Sequence, residues 1–249
     1  FKQRYDPATW EIFPLAQYLA HDKTAMIHHD LGQFVTNRQT LAWTLGLGFS
    51  LSYRVHAPAL SGDAVRQWLL WLDRLQKSVC ARYVGQALED FGHERGPGPA
   101  PDDDGLLRST YCNGSLRVAA NLGPRPRREA GQELAGYGFL VQTPDLVAAN
   151  LARADGDPGD EGISFLVEGD HRRIEVWVYA RPGDEAVFVP PVALPKPITL
   201  VFDDGTAIPT TPGQSAHRLR VPRQSRETAP PAGKARSVKY LWHAVSKPE

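Results

Sequence analysis

Two short runs carry side chains able to do chemistry. His28-His29-Asp30 follows the apolar run Thr24–Ile27, and Ser50, Ser52, Arg54 and His56 alternate with Phe49, Leu51, Tyr53 and Val55. In the triplet, imidazoles and a carboxylate can exchange hydrogen bonds with hydroxyl groups, and Asp30 has the chemistry of an acid, a base or a nucleophile. Alternation along an extended chain sets His28 and Asp30 on one face and His29 on the other. The competing reading is a polar cluster that caps a strand end. In the second run, Arg54 can grip an oxygen-rich ligand or pair with a functional carboxylate and depress its pKa; pairing with a structural acid is the alternative. Trp68 falls on an apolar helix face and reads as core, whereas Trp10 is better placed for a ligand-facing loop.

Other motifs exclude more than they suggest. Adding His21 or Asp22 to the triplet gives no recognised ligand spacing, so no metal is expected. Asp102-Asp103-Asp104 lacks the remaining oxygen ligands of a calcium loop and reads as solvated. Nucleotide-binding and Ser-nucleophile signatures are missing, and no cofactor is expected. Cys80 and Cys112 are too few for a disulfide scaffold or a zinc ribbon. Asn113-Gly114-Ser115 is first a hairpin-turn sequence, although it also matches the N-glycosylation acceptor pattern.

Lys+Arg and Asp+Glu both number 28, so net charge is zero and gives no reason to expect a nucleic-acid partner. No apolar run reaches the roughly 18 residues of a membrane span, and no membrane partner is expected. Phe1 in place of an initiator methionine suggests a processed or truncated chain.

These side chains need elements to position them. Thr24–Ile27 and Phe49–Val55 read as strands, separated by a helix that Thr36 and Gln39 cap in a capping box and Gly46/Gly48 end. Val65, Trp68, Leu69, Leu72, Leu75 and Val79 mark one buried face of a long helix over 63–84, with Asp63 as N-cap. The Pro/Gly/acidic stretch 92–105 reads as a linker. Beyond it, a hairpin turns at Asn113-Gly114 between strands 106–111 and 115–121. Leu134–Gln142 is a further strand, and Thr143-Pro144-Asp145 starts one helical turn through Ala149. Five short strands between Ile163 and Val221 have the spacing of a β-sandwich. From Arg223 the chain is polar and basic and reads as a poorly ordered tail, with Val238–Trp242 as an apolar stretch able to dock.

The order Trp10…Phe13-Pro14, His21-Asp22-Lys23, His29-Asp30-Leu31, Leu41…Trp43…Leu45-Gly46…Gly48-Phe49…Leu51-Ser52-Tyr53 and the helix 63–84 resembles the closing part of glycoside-hydrolase-like (β/α)8 barrels. The hairpin 106–121 and Leu134…Phe139 resemble the β-domain that trails them. The resemblance implies α/β followed by all-β: the last two barrel units over residues 1–90, then a β-sandwich region over 105–222 with a break near 153–162, then the tail 223–249. It implies a fragment of a glycoside hydrolase acting on O-glycosidic bonds of a carbohydrate substrate, inactive alone, with the rest of the barrel upstream of Phe1. Asp30 is then the local catalytic carboxylate, and His28, His29, Arg54, His56 and Trp10 bind substrate. Compartment stays open, an extracellular or periplasmic one fitting such an enzyme. A non-catalytic carbohydrate-binding or structural β-sandwich module is the alternative, which should expose a row of aromatics.

Overall fold

A computed structural model describes residues 14–27, 34–54, 61–95, 105–153, 161–170, 173–191, 199–202, 205, 207–210, 217–221 and 239–246. Among the described residues four α-helices come first: α1 (Leu15–Ala20), α2 (Arg38–Gly46), α3 (Asp63–Leu75) and α4 (Ala81–Tyr83), the last two joined by a π-helical turn at Gln76–Cys80. The chain divides into two compact units: residues 1–54, 76–142 and 149–162, and residues 55–75, 143–148 and 163–249.

In the first unit, α2 starts at Asn37 rather than at Thr36. Asn37 Oδ1 accepts from the Thr40 amide at 2.9 Å, and Thr40 Oγ1 accepts from the Asn37 amide at 3.3 Å. The capping box thus forms one residue later than Thr36/Gln39, because asparagine is at least as good an N-cap as threonine. Strands β1 (Asp90–Glu94), β2 (Leu106–Tyr111), β3 (Leu116–Asn121) and β6 (Phe139–Thr143) are hydrogen-bonded in that order, each pair antiparallel. A side hairpin, β4 (Arg127–Glu129) and β5 (Gln132–Leu134), pairs through Leu134 with Leu151 of β7 (Leu146–Leu151). Ala42 of α2 packs on Leu107, Ala120 and Leu122, with Trp43, Leu47 and Phe91 around them. Asn121, fully buried, donates to the carbonyls of Arg125 and Ala135 and accepts from the Gly123 amide. Both donors and the acceptor of its amide are therefore used, which ties down the loop after β3.

In the second unit, β8 (Ile163–Gly169), β9 (Ile174–Ala180), β14 (Tyr240–Ser246), β11 (Thr199–Phe202) and β12 (Ala207–Pro209) lie side by side in that order, again antiparallel. A separate ribbon pairs β10 (Glu185–Phe188) with β13 (His217–Arg220). The last strand of the chain is thus an inner one: β14 pairs with β9 over Tyr240–Val245 and with β11 over Ala244–Ser246. Helix α3 joins this sheet: Gln67 Oε1 accepts from the Leu241 amide, and Trp71 stacks on Tyr179.

The expected last two units of a (β/α)8 barrel are overturned. The strand pairs named above are antiparallel, and the parallel pairing among the described residues is one isolated bridge, Ile27 to Ser50. A barrel needs extended parallel strands joined by crossover helices. Here Phe49–Arg54 forms no strand beyond that bridge, and α3 runs on into the π-helical turn instead of a next strand. The architecture is mainly antiparallel β with few helices. Residues 146–151 are strand rather than the expected helical turn, because all six are buried and a run buried on both faces lacks alternation.

Candidate functional site

Two clusters of polar and aromatic side chains stand out, one in each unit. The first centres on His21, at the end of α1 and 2% exposed. Its Nδ1 lies 2.7 Å from the Gln86 carbonyl and its Nε2 2.7 Å from the Gly48 carbonyl. Both partners are acceptors, so the ring satisfies them together only with an N–H on each nitrogen. Tyr111 and Tyr83 flank the ring at centroid distances of 5.1 and 6.0 Å. Gly48 makes the approach possible: it sits at φ +72°, and a Cβ there would come within 2.2 Å of the Tyr111 hydroxyl and 2.8 Å of His21 Nε2. The Tyr83 hydroxyl donates to the Phe49 carbonyl at 2.7 Å and lies 3.0 Å from Cys80 Sγ. Burial pushes the Cys80 thiol up to about 12, and raises Tyr83 and Tyr111 as well. A thiol so shifted stays protonated at neutral pH and is no nucleophile.

The second cluster lies where α3 meets the sheet. The Arg74 guanidinium carbon is 3.4 Å from the Trp177 ring centroid, and the same indole stacks on His243 at 4.6 Å and 15°. Trp177 and His243 are direct cross-strand partners on β9 and β14. Carboxylates flank the stack: Glu168 receives a 2.5 Å hydrogen bond from Arg74, and Glu175 lies 3.5 Å from His243 Nε2 and accepts from Arg173 at 2.9 Å. Glu168 and Glu175 are themselves opposite one another on β8 and β9. The cations between and around them offset a like-charge pair that would otherwise destabilise the sheet.

Of the site residues expected from sequence, Trp10, His28, His29, Asp30 and His56 lie outside the described residues. Arg54 is exposed, Ser50 buried and Ser52 half-buried. The Ser50 amide donates to the Met26 carbonyl, and the Ser52 carbonyl accepts from the Val35 amide. The (β/α)8 barrel from which those roles were inferred is not the architecture of the described residues. Aromatics of the β-region are turned inward rather than displayed: Tyr111, Phe139, Trp177, Tyr179 and Phe202 are all buried. Among the described residues, no three His, Cys, Asp or Glu side chains gather to hold a metal ion, and no helix is long and apolar enough to cross a membrane.

Sequence reasoning missed the role of His21, and missed His243 altogether. A signal existed for the first: Gln17 and His21, four residues apart, share one face of α1. That face is the buried one, with Gln17 5% exposed, whereas Leu15, Tyr18 and Leu19 of the same helix are 56%, 36% and 63% exposed. The helix is amphipathic with its usual sides exchanged. For His243 the signal was tertiary, since the strand that carries it follows a long polar stretch. No family model matches the chain, and no curated protein or solved structure matches it either.

Proposed function

We propose that this chain is a non-catalytic assembly module that pairs weakly with a second copy of itself through the outward side of α1. The observation that carries the reading is the exchanged amphipathicity of α1. Its polar residues Gln17 and His21 are spent inside the unit, and its apolar residues Leu15, Tyr18 and Leu19 face outward. Ile27 is also exposed, at 57%. Grouped exposed apolar residues of this kind mark surfaces that another protein covers.

A second copy is the occupant favoured by charge. With 28 basic and 28 acidic residues the chain has no net charge to hold copies apart, and near-zero net charge promotes association. The three apolar side chains of α1 fall short of the roughly 800 Å² per partner of a standard stable interface, so the pairing is weak and concentration-dependent.

Light scattering coupled to size exclusion tests this on the full chain. The apparent mass is expected to rise with loading concentration, and Leu15→Glu/Leu19→Glu to hold the chain monomeric with an unchanged circular dichroism spectrum. A monomer at every concentration, or association that ignores the double substitution, overturns the reading.

A further inference from the structure

The turn between β2 and β3 holds a chemically labile pair in an unusual grip. Cys112, Asn113 and Gly114 all have positive φ, at 58°, 55° and 79°. Two consecutive amides of this left-handed turn point at one carboxylate: Asn113 N–H donates to Glu89 Oε1 at 2.5 Å, and Gly114 N–H to Glu89 Oε2 at 2.8 Å. The Glu89 amide in turn donates to the Thr110 carbonyl on β2 at 2.9 Å. Asn113 and Ser115 are exposed, and the space beside Gly114 Cα is open, so water reaches the turn.

We propose that Asn113-Gly114 is a deamidation site held shut by the Glu89 carboxylate. In the reaction, the Gly114 amide gives up its proton to hydroxide. The nitrogen lone pair then attacks Asn113 Cγ and forms a C–N bond. The side-chain amide leaves, taking a proton, as ammonia. Water opens the resulting succinimide at either carbonyl and yields aspartate or isoaspartate. Gly114 leaves the attacking nitrogen unhindered, since it has no Cβ to block the five-membered ring.

Glu89 opposes the first step twice. Its oxygen holds the N–H proton that must depart, and its negative charge repels the nitrogen anion left behind. It also pins residues 113 and 114 in the turn, away from the geometry in which Asn113 Cγ meets the Gly114 nitrogen. Once formed, the product works against the clamp: an aspartate at 113 sets a second carboxylate beside Glu89, and isoaspartate lengthens the backbone of the turn. Modification therefore releases Glu89 and loosens the approach to β1.

Incubating the full chain in mildly alkaline buffer, with peptide mapping that resolves isoaspartate in segment 111–117, tests the proposal. The wild-type chain is expected to deamidate roughly tenfold more slowly than a synthetic peptide of that segment, and Glu89→Ala to recover most of the difference. Glu89→Gln, which keeps an acceptor oxygen but not the charge, should fall between them. Val118→Ala, in the buried part of β3, controls for general loosening and should stay near the wild-type rate. Glu89→Ala no faster than wild type, or Val118→Ala as fast as Glu89→Ala, overturns it.

Discussion

In the first unit, His21 and other polar side chains bond to main-chain groups; around Trp177 in the second, partly exposed polar side chains bond mostly to one another. His21 serves two carbonyls, Tyr83 serves the Phe49 carbonyl, Gln76 accepts from the Leu51 amide at 2.8 Å, and Asn121 serves three backbone groups. Arg74, Glu168, Trp177, His243 and Glu175 instead make a chain of ion pairs and stacked planes. The difference lies in what can replace a lost partner. The Gly48 carbonyl is buried and bonded to a ring nitrogen that is itself buried, whereas Arg74 and Glu168 keep 24% and 29% of their side-chain surface in water. The first arrangement is brittle and sets local geometry; the second is forgiving.

The largest effect that tests this contrast is alkaline unfolding. Cys80, Tyr83 and Tyr111 all belong to the first unit, and burial raises all three. An unfolded thiol loses its proton near 9.0, while the folded Cys80 keeps it to about 12. Across that interval the unfolded state binds fewer protons, so stability falls as pH rises and is untouched below it. Cys80 alone accounts for on the order of 4 kcal/mol by pH 12. Limited proteolysis across an alkaline series should cut the first unit first, and Cys80→Val should move its transition to higher pH. Cleavage that begins in the second unit would break the comparison.

Replacing His21 comes next in size. His21→Leu leaves the buried Gly48 carbonyl facing an apolar group, at about 1–3 kcal/mol, whereas exposed Gln86 has water within reach. Urea denaturation should show a loss of roughly 1–3 kcal/mol. A loss under about 1 kcal/mol would mean that the Gly48 carbonyl finds another donor, and the first unit would be no more brittle than the second.

Local signals made much of the strand layout legible. Alternation and turn chemistry mark the hairpin 106–121, and the short strands between Ile163 and Val221 match β8 to β11 and β13 closely. What failed was the extent of pairing at the start of the chain. The runs 24–27 and 49–55 read as strands flanking a helix, and nothing local distinguishes a parallel strand from an extended segment held by one bridge. The π-helical turn at Gln76–Cys80 was equally hidden, because the apolar period of the sequence runs unbroken through Val79. The site was less legible still. His21 and Gln17 look like surface polar residues of a short helix, and only packing shows that the helix is turned over. His243 gains its meaning from Trp177, 66 positions earlier, across a register set by β14.

Arg74→Met should have the smallest effect, and its salt dependence separates the two units most cleanly. Methionine keeps an unbranched apolar stem over the Trp177 ring, so the loss is limited to the guanidinium's pairing with Glu168 and its contact with the indole. Part of that loss is returned, because Arg74 Nε is buried without a hydrogen-bond partner among the described residues. Glu168 is left partly hydrated instead of stranded. The net cost should be about 1 kcal/mol or less at low ionic strength. It should shrink as salt rises and the Debye length falls to a few ångström, since both charges keep contact with solvent. The His21→Leu loss, centred on a ring only 2% exposed, should change less over the same salt series. Parallel urea titrations of the two variants therefore distinguish a charge stack that solvent screens from a backbone clamp that it screens less. Equal salt dependence would place both clusters under one rule.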